Sequence, residues 1–259
     1  MAYTAAAMLI GTVISDPTQP GSGVMAMYWI IAVPMLGGML WHAFHQVRHS
    51  AFHALVGVTL GIAVAVGNLN AATGSAPERA VGFGVLSGLG WYAATRILEQ
   101  HPGLLPGWDG GPRTLRRLMM IGLGFGVVLG AVNLVLPVLG GSTLVVTDVP
   151  RAVISALEPA IHEEVVFHFF PLAWWVAWRG SLPTSRWGRL GLYAFLVVPH
   201  DLLHFPDMIT TDPMNAMFGA LYTSLLFGVP LVYLNRRRGV QAAMTTHWTI
   251  DAVRFGVGM

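Results

Sequence analysis

Runs of about twenty apolar residues, separated by short stretches bearing arginine, glycine and proline, make up most of the chain. A hydrocarbon core about 30 Å thick is crossed by a helix of about 20 such residues. Runs of that length fall at 24–45, 51–70, 80–98, 117–139, 150–178, 189–206, 213–235 and 238–257. The pattern predicts an all-α, polytopic membrane helix bundle with about eight transmembrane helices. Gly122, Gly124, Gly126 and Gly130 give the fourth run a small-residue face for close packing. The fifth is long and holds Pro159 and Pro171, which predicts a kink or tilt. Residues 1–23 are apolar as far as Ser15, then broken by Asp16-Pro17 and Gly21-Ser22-Gly23. They lack the basic start of a signal peptide, so an interfacial or partial helix is expected there.

Arginine placement orients such a bundle, because cytoplasmic loops carry the excess of positive charge. Arg48 lies in the first loop, Arg96, Arg113, Arg116 and Arg117 around the third, Arg179, Arg186 and Arg189 in the fifth, and Arg236, Arg237 and Arg238 in the seventh. The even loops hold only Arg79 and Arg151, with Asp148, Asp207 and Asp212. Odd loops are therefore expected in the cytoplasm and both termini outside.

Composition narrows the class. The chain is 54% apolar and 10% charged over 259 residues, against about 25% charged in soluble domains. All fourteen basic residues are Arg, and all but Arg254 lie in or beside loops, so no nucleic-acid partner is expected. Cysteine is absent, which removes disulfides, thiolate metal sites and a Cys nucleophile.

Against that background three polar pairs stand out. Glu163 and Glu164 sit side by side in an oily segment, with His168 one turn beyond Glu164. His200 and His204 are one turn apart, and His247 and Asp251 repeat the spacing. An ionised carboxylate in hydrocarbon costs several kcal/mol, so such groups face a polar interior and carry function. Adjacent carboxylates suit a shared proton or a general base. One such pair is ordinary interior hydrogen bonding; three pairs on neighbouring segments are hard to explain as packing.

The stretches Glu158 to Phe170, Leu196 to Phe205 and Tyr233 to Asp251 resemble the CPBP family, the CAAX-prenyl-protease and bacteriocin-processing intramembrane glutamic endopeptidases, also called the Abi family. Its first motif, Glu-Glu-x-x-x-Arg, is matched by Glu163-Glu164-Val165-Val166-Phe167-His168, with His168 in place of Arg. Its second, Phe-x-x-x-His, is matched either by Leu196 to His200 or by His200 to His204, and the following Phe205-Pro206 favours His204. Its third, His-x-x-x-Asn or Asp, is matched by His247 to Asp251. The resemblance covers about residues 150–254 and implies a catalytic transmembrane core over 150–257. The transmembrane helices of 24–149 carry no specific signature.

The resemblance further implies metal-independent hydrolysis of a peptide bond by a protein of the prokaryotic plasma membrane, with no cofactor. The substrate would be a membrane-embedded or lipidated peptide, and the bilayer is the other partner. Glu163 with His204 or His200 would hold and deprotonate water. His247, helped by Asp251, would stabilise the oxyanion, and Glu164 with His168 would fix Glu163.

Two rival readings use the same residues. His200 and His204 on one helix face, with Glu163 and His247, form a plausible metal set, although no His-Glu-x-x-His occurs, since Val166 stands where the second His would be. A membrane scaffold or immunity protein of the same fold, without catalysis, is the other, suggested by the departures at His168 and Asp251. A further row, His42, His45, His49 and His53, follows the period of one helix face; an interfacial segment joining the first two spans is favoured there over a metal or haem-like site. Arginine alternation sets the first test: a single cysteine introduced by Thr184→Cys is expected to react with impermeant reagent only from the cytoplasmic side, and reaction only from outside would invert the topology.

Overall fold

The computed structural model describes residues 22–45, 50–71, 77–104, 111–205, 208 and 211–258. The described chain is mostly helical. Helix α1 (Ser22–Phe44) is followed by α2 (Ala51–Asn70), whose start is capped by Ser50 Oγ accepting from the His53 N–H at 3.3 Å. Helices α3 (Pro77–Gln100) and α4 (Pro112–Leu139) each open on proline, which suits a first helical position. A short strand, β1 (Val145–Val146), leads to α5 (Val149–Ser155), capped by Asp148. Then come α6 (Leu157–Glu163), a π-helical turn (Glu164–Phe169) and α7 (Phe170–Arg179). Helix α8 (Arg186–Leu202) is capped by Ser185. Helix α9 (Pro213–Thr223) passes through a second π-helical turn (Ser224–Gly228) into α10 (Val229–Arg238). Helix α11 (Val240–Gly256) runs into β2 (Val257–Gly258), which pairs antiparallel with β1, Val146 opposite Val257.

Helix occurs over each of the eight predicted runs. Among the described residues three helices are long and apolar enough to cross a membrane: Ala51–Asn70, Pro112–Leu139 and Pro213–Arg238. Helices α8 and α11 have 17 residues each, below the length of about 20 that a perpendicular span needs, and the fifth run is divided. Its breaks follow its prolines. Pro159 has no N–H to offer the carbonyl four residues back, at Ser155, and α5 ends there. Pro171 and Pro230 each follow a π-helical turn by two residues. In those turns Phe170 N–H reaches Val165 O and Val229 N–H reaches Ser224 O, one residue further than in an α-helix.

Two expectations fall partly or wholly outside the described residues. Residues 1–21 of the expected interfacial segment lie beyond them, and Ser22 and Gly23 already belong to α1. His49 of the histidine row also lies outside. The other three do not share one helix, because α1 ends at Phe44 and α2 begins at Ala51. His45 stacks on Trp41 with ring centroids 3.6 Å apart, and His53 pairs with Glu99 at 3.2 Å.

The layering fits membrane association. Large apolar side chains stand exposed along α2 (Val58, Ile62, Val66), α4 (Met120, Val127, Val128) and α9 (Met217, Phe218, Leu221), a far larger apolar surface than soluble monomers show. Glu164, His168, His200, Asp201 and Asp251 are buried. Between α4 and α11 the backbones touch. A Cβ on Gly126 would lie 2.4 Å from Thr249 Cβ, and one on Gly122 would lie 2.6 Å from the Ala242 carbonyl. Gly130 faces the same helix, but Gly124 meets nothing within 4 Å. Glycines spaced by four share a face, whereas a step of two turns roughly 200° away, so Gly124 does not belong to the packed stripe. Gly126→Ala is expected to destabilise the purified protein by about 1–3 kcal/mol through overpacking, and Gly124→Ala to stay within about 0.5 kcal/mol. Equal shifts in thermal unfolding of the two variants would contradict this assignment of faces.

Candidate active site

Helix α6 delivers Glu163 at its last position, and the π-helical turn that follows delivers Glu164 and His168. An α-helix offsets adjacent residues by about 100°. The wide turn and Pro171 change that register where both carboxylates must face one interior. Wide turns of this kind are frequent at functional sites. The end of α8 supplies His200 and Asp201, and α11 supplies His247 and Asp251.

Glu163 Oε2 is the hub. It lies 2.9 Å from His200 Nε2, 3.6 Å from His247 Nε2 and 4.0 Å from His204 Nε2. Glu164 is fully buried and divides its two oxygens: Oε2 lies 3.0 Å from His168 Nδ1, and Oε1 lies 3.0 Å from His247 Nδ1. His247 thereby bridges the glutamates, and its Nε2 is also 3.3 Å from Asp251 Oδ2. His168 is thus a single-pronged partner of Glu164 from its own turn. Asp251 serves as an acceptor for the His247 ring.

All seven residues singled out in the sequence, Glu163, Glu164, His168, His200, His204, His247 and Asp251, therefore meet in one cluster. Their ranking differs at the second motif. His204 was favoured by the Phe205-Pro206 that follows it, yet His200 is the direct partner of Glu163. The reason is the helix end: α8 stops at Leu202, so His204 falls in the turn beyond it, and its side chain is 43% exposed. His200 sits at the centre and His204 at the mouth.

Two contributors were missed. Asp201 lies next to His200, with Oδ1 3.4 Å from His200 Nδ1, and Ser224 Oγ donates to Asp201 Oδ2 at 2.5 Å. An acidic residue one position after a motif histidine was visible in the sequence; a serine in an apolar run gave no signal. Gly228 permits the contact, since a Cβ there would lie 2.8 Å from Asp201 Oδ2 and 2.4 Å from Val197 Cγ1. His162, although adjacent to Glu163, turns away: its Nδ1 is 2.9 Å from Ser87 Oγ and its ring stacks on Phe83.

Four carboxylates (Glu163, Glu164, Asp201, Asp251) thus face four imidazoles (His168, His200, His204, His247), so opposite charges can balance inside an apolar bundle. The cluster is closed around Glu164 and open at His204. It offers a carboxylate base with imidazole nitrogens 2.9, 3.6 and 4.0 Å from one of its oxygens, and an exposed edge at His204. The ligand atoms of Glu163, His200 and His204 also lie within 4.8 Å of one another, close enough for one metal ion. No family model, curated protein or solved structure matches the chain.

Removing one member of a buried pair leaves an uncompensated charge and costs about 3–5 kcal/mol. His168→Ala is expected to lower thermal stability on that scale, because Glu164 keeps only His247. His204→Ala, at the exposed mouth, is expected to leave stability unchanged. A silent His168→Ala would contradict the pairing with Glu164.

Proposed function

We propose that the chain is an intramembrane hydrolase of peptide bonds, of the kind the resemblance to CPBP glutamic endopeptidases implies, in a bundle of eight spans with both termini outside the prokaryotic plasma membrane. One observation carries the reading: a single carboxylate oxygen, Glu163 Oε2, has three imidazole nitrogens within 4.0 Å in an otherwise apolar bundle. A general base must lie within hydrogen-bond reach of its proton, directly or through one water. Water held by Glu163 and His200 gives its proton to the Glu163 carboxylate as its oxygen bonds to the peptide carbonyl carbon. His247, steadied by Glu164 and Asp251, is the group nearest the Glu163 oxygen on the other side and receives the developing oxyanion. The proton on Glu163 then passes to the departing amide nitrogen as the C–N bond breaks. The substrate is a membrane-embedded or lipidated peptide whose scissile bond enters past His204.

A second reading has its own observation. Glu163, His200 and His204 could ligate a divalent metal with a fourth position open, and such a metal would supply the activated water. Elemental analysis of the purified protein separates the two. Under the first reading no stoichiometric metal is found, and added zinc leaves the melting temperature unchanged. Stoichiometric zinc or iron, or a stabilisation by zinc of about 2.7 kcal/mol at a hundredfold excess over Kd, would move the reading to the second.

A further inference from the structure

Asp201 is a buried carboxylate, and the chemistry above makes no use of it. It projects from the last turn of α8 into the seam with the second π-helical turn, where Val197 and Asp201 pack against Ser224 and Gly228. A carboxylate is expensive in such a place unless its oxygens are engaged. Oδ2 accepts from the Ser224 hydroxyl, and Oδ1 stands at ion-pair distance, 3.4 Å, from His200 Nδ1, a buried nitrogen that makes no shorter bond. The seam is built for it. The wide turn before Pro230 sets Ser224 on Asp201, and the missing side chain of Gly228 leaves room for the carboxylate.

On the opposite edge of the same ring, His200 Nε2 meets Glu163 Oε2 at 2.9 Å. Which ring nitrogen of a histidine carries the proton is set by the partner of the other, and a carboxylate behind an imidazole fixes both tautomer and ring orientation. We propose that Asp201, seated by Ser224, is a positioning residue that holds the His200 ring with Nδ1–H toward Asp201 and Nε2–H donating to Glu163. The order is serine, aspartate, histidine, glutamate, running from the α9–α10 seam into the cluster. The inference deepens the hydrolase reading and rests on it for its purpose, but not for its geometry. The same arrangement would orient His200 as a metal ligand.

The test needs no substrate. Protein labelled with 15N-histidine and reconstituted in lipid bilayers is measured by magic-angle-spinning NMR, with the His200 lines identified by their loss in His200→Gln. The wild type is expected to show His200 protonated at both nitrogens, with a distinct Nδ1–H line. Asp201→Leu keeps the volume and removes the acceptor, so the Nδ1–H line is expected to be lost, leaving a ring protonated at Nε2 alone. Ser224→Ala leaves the carboxylate in place but unseated, and is expected to shift and broaden the same line. Unchanged His200 lines in folded Asp201→Leu would overturn the proposal. If that variant does not fold, unchanged lines in Ser224→Ala overturn it. Failure of the hydrolase reading is separate: it would show as turnover that survives Glu163→Gln, with the His200 spectra unaffected.

Discussion

Burial of the Glu164 carboxylate is the constraint on which the rest of the structure depends. Its two oxygens are shared between His168, on its own turn, and His247, on α11, at 3.0 Å each. In lipid or protein interior an unpaired carboxylate is costly, and losing one partner is costlier than never having the pair. The bundle therefore has to bring α11 against the π-helical turn. Once His247 is there, its other nitrogen falls beside Glu163 and Asp251. The glycine stripe of α4 supports this from behind, holding α11 by backbone contact at Gly122 and Gly126. The ribbon of β1 and β2 anchors its far end, helped by the Thr147 N–H to Gly256 carbonyl bond and by the Thr147 hydroxyl on the Phe255 carbonyl.

Proline does the aiming. Each of the two wide turns precedes a proline, and each carries a residue of the cluster: Glu164 and His168 in the first, Ser224 in the second. A proline in a helix removes one donor and crowds the carbonyl four residues back. Widening the preceding turn relieves that crowding and rotates the side chains before it relative to those after it. The local strain-relief that the sequence forces is thus also what turns polar side chains inward.

Much of this was legible in the sequence, because the signals were strong and local. Apolar runs located the helices. The spacing of four in Glu164 and His168, His200 and His204, and His247 and Asp251 marked the cluster residues before any fold was known. What could not be read depended on helix ends and on contacts distant in sequence. The choice between His200 and His204 turned on α8 ending at Leu202, which no periodicity fixes. Asp201 is seated beside His200 by Ser224, 23 residues away in the second π-helical turn, a contact that the sequence does not announce. Gly124 was placed with Gly122 and Gly126 because small residues alone do not state their face. The histidine row from His42 to His53 had helical spacing across a stretch where α1 ends and α2 has not begun. Periodicity reports a face only where the helix is continuous.

The central claim is that Glu163 activates water for peptide hydrolysis inside the membrane. The most direct measurement compares the peptides released by membranes carrying the wild-type chain with those released by membranes carrying Glu163→Gln at equal abundance, both in the presence of chelator. Fragments ending within or beside apolar segments are expected from the wild type and absent from the variant. Identical peptide sets from the two membranes would contradict the claim.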